Sequence, residues 1–326
     1  MSKFVDFGNA LYSGERSIDF VGRRKLWYAI ASVMIVLAVA LPLARGGFNF
    51  GIEFKGGSEY RLTNVSSSVD STKLAETGVH DVLANVPVSV TQVGTNGVRI
   101  QISNNDPVVS EKVRLSIAKT FGVADTEVAS SSIGADWGAD VTGKALNGLI
   151  VFVIAAAILM ALYFRTLKMS LAAIISLLHD LVLTAGIYGA LGFEVTPAAV
   201  IGFLTILGYS LYDTVVVFDK IRENTFEVEH SETSTFAERV NLAINQTLVR
   251  SINTSVVAVL PVAAILFIGT TLLGAGTLRD ISLALFVGII VGTYSTLFIA
   301  APVYSHLREG EKKFKDAAAR VLANRA

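Results

Sequence analysis

The stretch GYSLYDTVVVFDKIREN, residues 208–224, ends an apolar run that begins at Pro197, and it contains an aspartate, Asp213. A run of roughly 20 apolar residues predicts a helix that crosses a membrane. A carboxylate at the centre of such a helix costs about 3 kcal/mol on insertion scales, so it needs a partner or a hydrated cavity. Asp213 precedes Lys220 by two helical turns, which places it roughly 10 Å inside the boundary that Lys220 marks. We therefore expect a functional carboxylate at Asp213.

The composition of the whole chain is typical of a membrane protein. Of its 326 residues 52% are hydrophobic, and the mean hydropathy is +0.57. Basic and acidic residues balance at 27 each, so no basic field indicates a nucleic-acid partner. The absence of cysteine excludes disulfides and cysteine-bound metals, and the four histidines show no metal-ligand spacing. No Walker-type glycine loop is found, which argues against the use of ATP by this chain.

Six apolar segments predict a multi-pass α-helical membrane protein with six transmembrane helices. The segments are residues 26–44, 145–164, 169–191, 197–218, 249–269 and 281–303. The last five lie within a membrane region, residues 144–306. The first segment follows a basic stretch, as in a signal peptide, but it is long enough for a full span. We therefore expect an uncleaved anchor.

Loops that are rich in lysine and arginine alternate along the chain with loops that contain almost none. Basic residues gather before the first segment, between the second and third, between the fourth and fifth, and after the sixth. Since basic loops stay in the cytoplasm, both termini are expected there. The prediction makes residues 1–25, the loop 219–248 and the tail 307–326 cytoplasmic, and it puts residues 45–143 outside.

The pattern of apolar and polar residues in the exported segment, residues 45–143, predicts a small α+β domain. FNFGIEF and SEYRLTNV predict two strands, STKLAETGVHDVLANV a helix, and VSVTQVG and VRIQIS a hairpin. A second helix is expected from Pro107 to just before Gly122, followed by a strand in TEVASSSIG. The predicted order is β-β-α-β-β-α-β, which favours a ferredoxin-like domain with two helices on one face of an antiparallel sheet.

A second ionisable residue, Arg250, lies in the stretch NQTLVRSINTS, residues 245–255. Helical spacing places it on one face with Thr247, Ser251 and Thr254. An ion pair between Arg250 and Asp213 would satisfy both charges and would suit proton transfer. The alternatives are that the pair is structural or that Arg250 extends to the membrane surface.

His179 and Asp180 lie near the middle of the third apolar segment. An imidazole there suits a proton path, and a neutral histidine bonded to a neighbouring helix is an equal alternative. Successive residues are rotated by about 100°, so only one of the two is expected to face any given partner.

Five glycines are candidates for packing or hinge positions. Gly56 and Gly57 predict a turn after the first strand, with a hinge as the alternative. Gly208 would allow a neighbouring helix to approach. Gly288 and Gly292 form a small-xxx-small face that suits close helix contact.

Four stretches together resemble the SecF members of the SecD/SecF family of bacterial protein-export membrane proteins, within the RND-type superfamily. They are FNFGIEFKGG, GYSLYDTVVVFDKIREN, NQTLVRSINTS and GIIVGTYSTLFIAAPV, in the family's order and spacing. The resemblance implies an accessory subunit without chemical catalysis or cofactor that acts with SecD, the SecYEG channel and the SecA motor. It implies that the proton gradient drives preprotein export across the bacterial cytoplasmic membrane, with the family's intramembrane aspartate at Asp213 and its arginine at Arg250.

Two other functions remain open on the sequence alone. A small-molecule efflux transporter of the same superfamily would usually carry two six-helix halves and two large exported domains. A purely structural assembly subunit would need neither Asp213 nor Arg250.

Overall fold

The computed structural model describes residues 3–63, 65, 70–94, 96–269 and 276–325. In chain order the helices are α1 (Lys3–Ser13), α2 (Arg24–Ala44), α3 (Ile52–Lys55), α4 (Ser71–His80), α5 (Pro107–Phe121), α6 (Ala135–Phe164), α7 (Leu167–Leu191), α8 (Pro197–Asn224), α9 (Phe236–Ala264), α10 (Gly276–Ser295), α11 (Ala301–Glu309) and α12 (Lys312–Arg325). The strands are β1 (Asn49–Phe50), β2 (Gly57–Leu62), β3 (Val88–Val93), β4 (Gly97–Ile102), β5 (Val128–Ile133) and β6 (Glu194–Val195). A π-helical turn, Thr296–Ala300, joins α10 to α11.

Six helices within the described residues are long and apolar enough to cross a membrane. They are α2, α6, α7, α8, α9 and the continuous run of α10 and α11. This confirms the six-span architecture. Two helices begin about ten residues or more before their apolar segments: α6 at Ala135 and α9 at Phe236. The polar start of α9 is stabilised by a capping box, in which Thr235 and Glu238 each bond the other's backbone N–H.

The membrane helices are arranged around α7, α8 and α10, which are more buried than α2, α6 and α9. Close contact between α8 and α10 depends on glycine: a Cβ on Gly288 would lie 2.4 Å from Ile206, and one on Gly292 would lie 3.1 Å from Ser210. Gly208 differs from its prediction. In the described structure no atom lies within 4 Å of the place its Cβ would take, so no helix approaches there.

The α+β domain, residues 57–133, has the predicted ferredoxin-like arrangement. Its sheet has the order β3-β4-β2-β5 with every neighbouring pair antiparallel, and α4 packs against α5 over a shared apolar core. The helix predicted from Pro107 is α5. Asp106 caps its start, and Gly122 ends it in the left-handed conformation, with φ of 68°.

The first predicted strand, FNFGIEF, is wrong as an element of this sheet. Only Asn49 and Phe50 are extended, and they pair in parallel with Glu194 and Val195, between α7 and α8. The residues that follow form the short helix α3. An alternation of apolar and polar residues indicates an extended strand. It does not determine which strand this one pairs with, and here the partner is about 145 residues away in the chain. The pairing ties the start of the α+β domain to the membrane helices.

A largely buried ion pair connects the α+β domain to the same place. Arg99 of β4 donates to Glu194 at 2.5 Å, and the two side chains are only 12% and 13% exposed. Glu53 lies beside them, and burial raises the pKa of its carboxyl, with Glu194 and Glu59 adding to the rise. Because the pKa of Glu53 is raised in the folded state, protonated Glu53 contributes to stability. This contribution is fully present below the ordinary pKa of a glutamate and is lost as the pH rises through the raised, folded-state pKa.

Replacing Glu194 by Gln should loosen this contact by about 2 kcal/mol, because the buried guanidinium of Arg99 loses its charged acceptor. Hydrogen-exchange mass spectrometry should then show roughly 30-fold less protection of the Asn49–Phe50 amides. The double variant Arg99→Gln with Glu194→Gln should recover part of the loss. Unchanged protection in Glu194→Gln would show that the ion pair contributes nothing to docking.

Candidate functional site

Asp213 lies on a buried polar strip of α8. Thr196 caps the start of the helix, where its hydroxyl accepts from the Ala199 N–H, and most of the helix is apolar. Ser210, Asp213 and Thr214 recur at spacings of three and four residues, so one face of α8 carries all of them. Asp213 is 5% exposed. Its carboxylate therefore lies inside the helical bundle at membrane depth.

The polar partner of Asp213 comes from α9. The Ser251 hydroxyl donates to Asp213 Oδ1 at 2.8 Å. The other carboxylate oxygen, Oδ2, is buried and has no hydrogen-bond partner among the described residues. The neighbouring Thr214 hydroxyl lies 3.1 Å from that of Thr296. Asp213 thus lies where α8, α9 and the π-helical turn Thr296–Ala300 meet, with one oxygen available for a proton.

The predicted ion pair between Arg250 and Asp213 is not formed. Arg250 is exposed on the outer surface of α9, and no carboxylate in the described part of the chain lies within 4.0 Å of its guanidinium. The cause is the helical rotation of about 100° between neighbours, which points Ser251 inward and Arg250 outward. Of the predicted set, Thr247 and Ser251 are buried, as is Ser255, whereas Arg250 is exposed and Thr254 is half-buried.

His179 and Asp180 are both buried, on different sides of α7. Asp180 faces α8 and accepts from the Ser210 hydroxyl at 2.5 Å. His179 faces α10, where its ring lies 6.1 Å from that of Tyr294. They have different partners on other helices, although His179 Nδ1 also lies 3.4 Å from Asp180 Oδ1. Asp180 is thus bonded to Ser210 of α8, which lies one helical turn from Asp213, the second buried carboxylate.

Some functional features were not apparent from the sequence. Ser251 was only one of several polar residues on its helix, and its bond to Asp213 becomes visible in the packed bundle. Glu194, in the short loop between α7 and α8, and Asp280, near the start of α10, join α7, α8 and the α+β domain. The sequence did carry one signal for Glu194, namely an acidic residue in a very short loop between two apolar segments. Among the described residues no group of three His, Asp or Glu side chains could hold a metal ion.

Comparison with known families gives two matches that together cover most of the chain. Residues 113–310 match the family described as protein export membrane protein SecD/SecF, C-terminal, and residues 43–63 match the SecD/SecF GG motif. The second match contains Gly56 and Gly57. The first contains every membrane-embedded residue considered above.

Individual relatives agree with the family matches. The protein translocase subunit SecF of Streptomyces coelicolor is 45% identical over 100% of this chain and 86% of its own length. That of Mycobacterium tuberculosis is 42% identical over 98% of this chain and 73% of its own length. The crystal structure of SecDF from Thermus thermophilus has a TM-score of 0.75 at 28% identity over 90% of this chain. This chain spans 39% of that SecDF chain. The six-span bundle with its ferredoxin-like domain therefore belongs to the SecD/SecF family of protein-export membrane proteins.

Proposed function

We propose that the chain is the SecF-type subunit of a Sec protein translocase and that, with a SecD-type partner, it uses the proton gradient to promote preprotein export. The observation that carries the proposal is a buried carboxylate, Asp213, next to a helix, α9, whose Arg250 is exposed and forms no ion pair with the residues that the structure describes. Such a carboxylate can exchange a proton because burial favours its neutral form and an approaching cation favours its charged form. The proton gradient is the energy source, and no cofactor is required.

The partner follows from the position of Arg250. An arginine on the outer surface of a membrane helix requires a carboxylate or a hydrated surface. In the Thermus SecDF protein the match to this chain occupies 39% of a longer chain, and we infer that a SecD-type partner corresponds to the remainder. That chain would present an acidic residue to Arg250. Through its family the complex would act with the SecYEG channel, SecA and the translocating preprotein, within the lipid bilayer and without nucleic acid.

The available energy is sufficient for a conformational cycle. Moving one charge through 100 mV yields about 2.3 kcal/mol. Since about 1.4 kcal/mol shifts an equilibrium tenfold, one proton can change the population of a two-state helix arrangement by more than tenfold. A rotation of α9 that exchanges Ser251 for Arg250 beside Asp213 would couple proton release to a movement of the bundle.

The function is tested by reporter-preprotein uptake into inverted membrane vesicles. Vesicles with this chain, a SecD-type partner, SecYEG and SecA should show an uptake component that a proton uncoupler removes. Vesicles without this chain should lack that component and retain uptake that depends only on SecA and ATP. Equal sensitivity to the uncoupler in both preparations would contradict the proposal.

The same proposal places both termini in the cytoplasm and the α+β domain outside. Because the chain contains no cysteine, single substitutions report topology cleanly. Ser103→Cys, exposed in the α+β domain, should react with an impermeant thiol reagent added to intact cells. Thr233→Cys, exposed between α8 and α9, should react only after the membrane is permeabilised. The reverse pattern would overturn the orientation.

A further inference from the structure

One buried face of α7 is polar from Ser176 to Tyr188, over about three helical turns. Ser176, Asp180, Thr184 and Tyr188 recur every four residues, and each is 1% or 2% exposed. That spacing places them on one face, at steps of roughly 6 Å along the helix axis. We name this set the α7 polar row. The helix packs against α8 and α10, so the row lies inside the protein and not against lipid.

The end of the row nearest the α+β domain reaches a partly exposed carboxylate. The Tyr188 hydroxyl donates to the backbone carbonyl of Asp280 at 2.8 Å. The Asp280 carboxylate accepts from the Thr196 hydroxyl at 2.9 Å and remains partly accessible. Polar groups therefore continue from Tyr188 to the half-buried Asp280 at the rim where β1 pairs with β6.

The other end of the row reaches the proposed proton site. Asp180 accepts from Ser210, and Ser210 is one turn of α8 away from Asp213. Because α7 and α8 are joined by a short connection and run in opposite directions, one further turn along α7 brings Ser176 to about the depth of Asp213. The row thus spans the distance between the rim and the buried carboxylate.

The hydroxyl of Thr184 lacks the hydrogen bond that threonines in a helix commonly make to their own backbone. Several other helical threonines donate to the carbonyl four residues earlier, among them Thr205 at 2.7 Å, Thr247 at 2.9 Å and Thr293 at 2.7 Å. Thr184 makes no such bond. Its Oγ1 is buried and has no hydrogen-bond partner among the described residues, as are Ser176 Oγ and His179 Nε2. Buried polar atoms are nearly always bonded, either to protein or to water. Hydroxyls arranged in this way suit a file of water molecules.

We propose that the α7 polar row is the route by which protons from outside reach Asp213, with Asp180 as an intermediate proton acceptor. The inference rests on the proposed function. A proton enters beside Asp280, passes along the hydroxyls of Tyr188 and Thr184 and intervening water to Asp180, and then passes through Ser210 to Asp213. Each hydroxyl takes a proton on its oxygen and releases its own, so its charge is unchanged after each transfer. Each carboxylate binds one proton and later releases it.

The charged and titratable surroundings of Asp180 fit this role. His179 faces it from the same helix at 3.4 Å, and Ser210 faces it from α8. On α10 the nearby titratable group is Tyr294, against the ring of His179. Among the described residues no Lys or Arg is bonded to the Asp180 carboxylate, whose side-chain contacts are Ser210 and His179.

Thiol labelling tests whether the row is reached by water. Thr184→Cys, in the complex with its SecD-type partner, should react from outside with a small charged thiosulfonate. Its neighbour Leu183→Cys is equally buried, at 4% exposure, but lies in an apolar cluster. Since the thiolate is the reactive form and an apolar site suppresses it, we expect at least about tenfold faster labelling of Thr184→Cys. Labelling after denaturation shows that both thiols are present. Equal, slow labelling of the two would overturn the proposal.

A second measurement separates this inference from the function on which it rests. Asp180→Asn and Thr184→Val should each reduce uncoupler-sensitive uptake by at least about tenfold and leave uptake driven by SecA and ATP unchanged. The matched control Thr205→Val removes an exposed hydroxyl that bonds only its own helix and should act as wild type. Loss of uptake in Asp213→Asn with normal uptake in Asp180→Asn and Thr184→Val would reject the row and keep the function. Normal uncoupler-sensitive uptake in Asp213→Asn would reject the function itself.

Discussion

Vesicles that contain Asp213→Asn should lose the uncoupler-sensitive part of preprotein uptake, while assembly with the SecD-type partner stays intact. Asparagine keeps the size of the side chain and can still accept from Ser251, so the contact between α8 and α9 is preserved. It cannot bind and release a proton, and the link between proton movement and conformation is therefore removed. We expect a fall of at least about a hundredfold in the gradient-driven component. Copurification of the partner shows that the complex is intact.

The chain offers a matched control for Asp213 on the same helix. Asp219 also carries a carboxylate, but it lies at the helix end, accepts from Tyr163 at 2.7 Å and is 3.2 Å from Arg222. Asp219→Asn should therefore leave uptake unchanged within about twofold, because an exposed ion pair contributes little. Asp213→Glu should retain partial uptake, since the titrating group survives with a displaced head. If Asp213→Asn vesicles keep wild-type uptake and uncoupler sensitivity, Asp213 is structural.

The parts of the fold that follow from local pattern were predictable. Apolar runs of membrane length require a helix because lipid offers no hydrogen bonds to an open backbone. The ferredoxin-like domain follows from alternating strands and from cap residues such as Asp106 and Gly122, which act within one turn of the helix they end. Asp213 was predictable for a related reason, since a carboxylate in an apolar run is costly and so marks a site.

The parts that depend on a distant partner were not predictable. Asn49 and Phe50 pair with β6 instead of the neighbouring sheet, a choice that only the assembled bundle determines. Arg250 and Ser251 were both polar candidates on α9, and the inward one is decided by which neighbours surround the helix. Spacing alone allowed either residue to face inward, and the face that is buried contains Ser251 and Ser255. Gly208 likewise offered room that no neighbour in the described structure uses.

Gly57 lies where the chain passes from the membrane rim into the strand β2. Its backbone conformation is one that residues other than glycine rarely adopt. Its φ is 146°, in the region that favours glycine. A Cβ there would lie 2.4 Å from the backbone carbonyl oxygen of Ile102 on β4. That oxygen belongs to the sheet and cannot move aside as a flexible side chain could. Any substitution must therefore open the pairing between β2 and β4 at its first residue, or distort the chain that leads to it.

Gly57→Val should consequently destabilise the α+β domain by about 3 kcal/mol or more, from backbone strain together with the clash. A domain of this size is stable by only about 5–15 kcal/mol, so cleavage of residues 57–133 by added protease should become markedly faster in membranes. The control is Gly134→Val, next to Ile133, the residue of β5 that pairs with Gly57. Gly134 has φ of −67°, and no atom lies within 4 Å of the place its Cβ would take. It should tolerate the same side chain with wild-type resistance. Equal resistance of Gly57→Val and Gly134→Val would mean that the sheet accommodates a side chain at residue 57, and that the positive φ there is not required for folding.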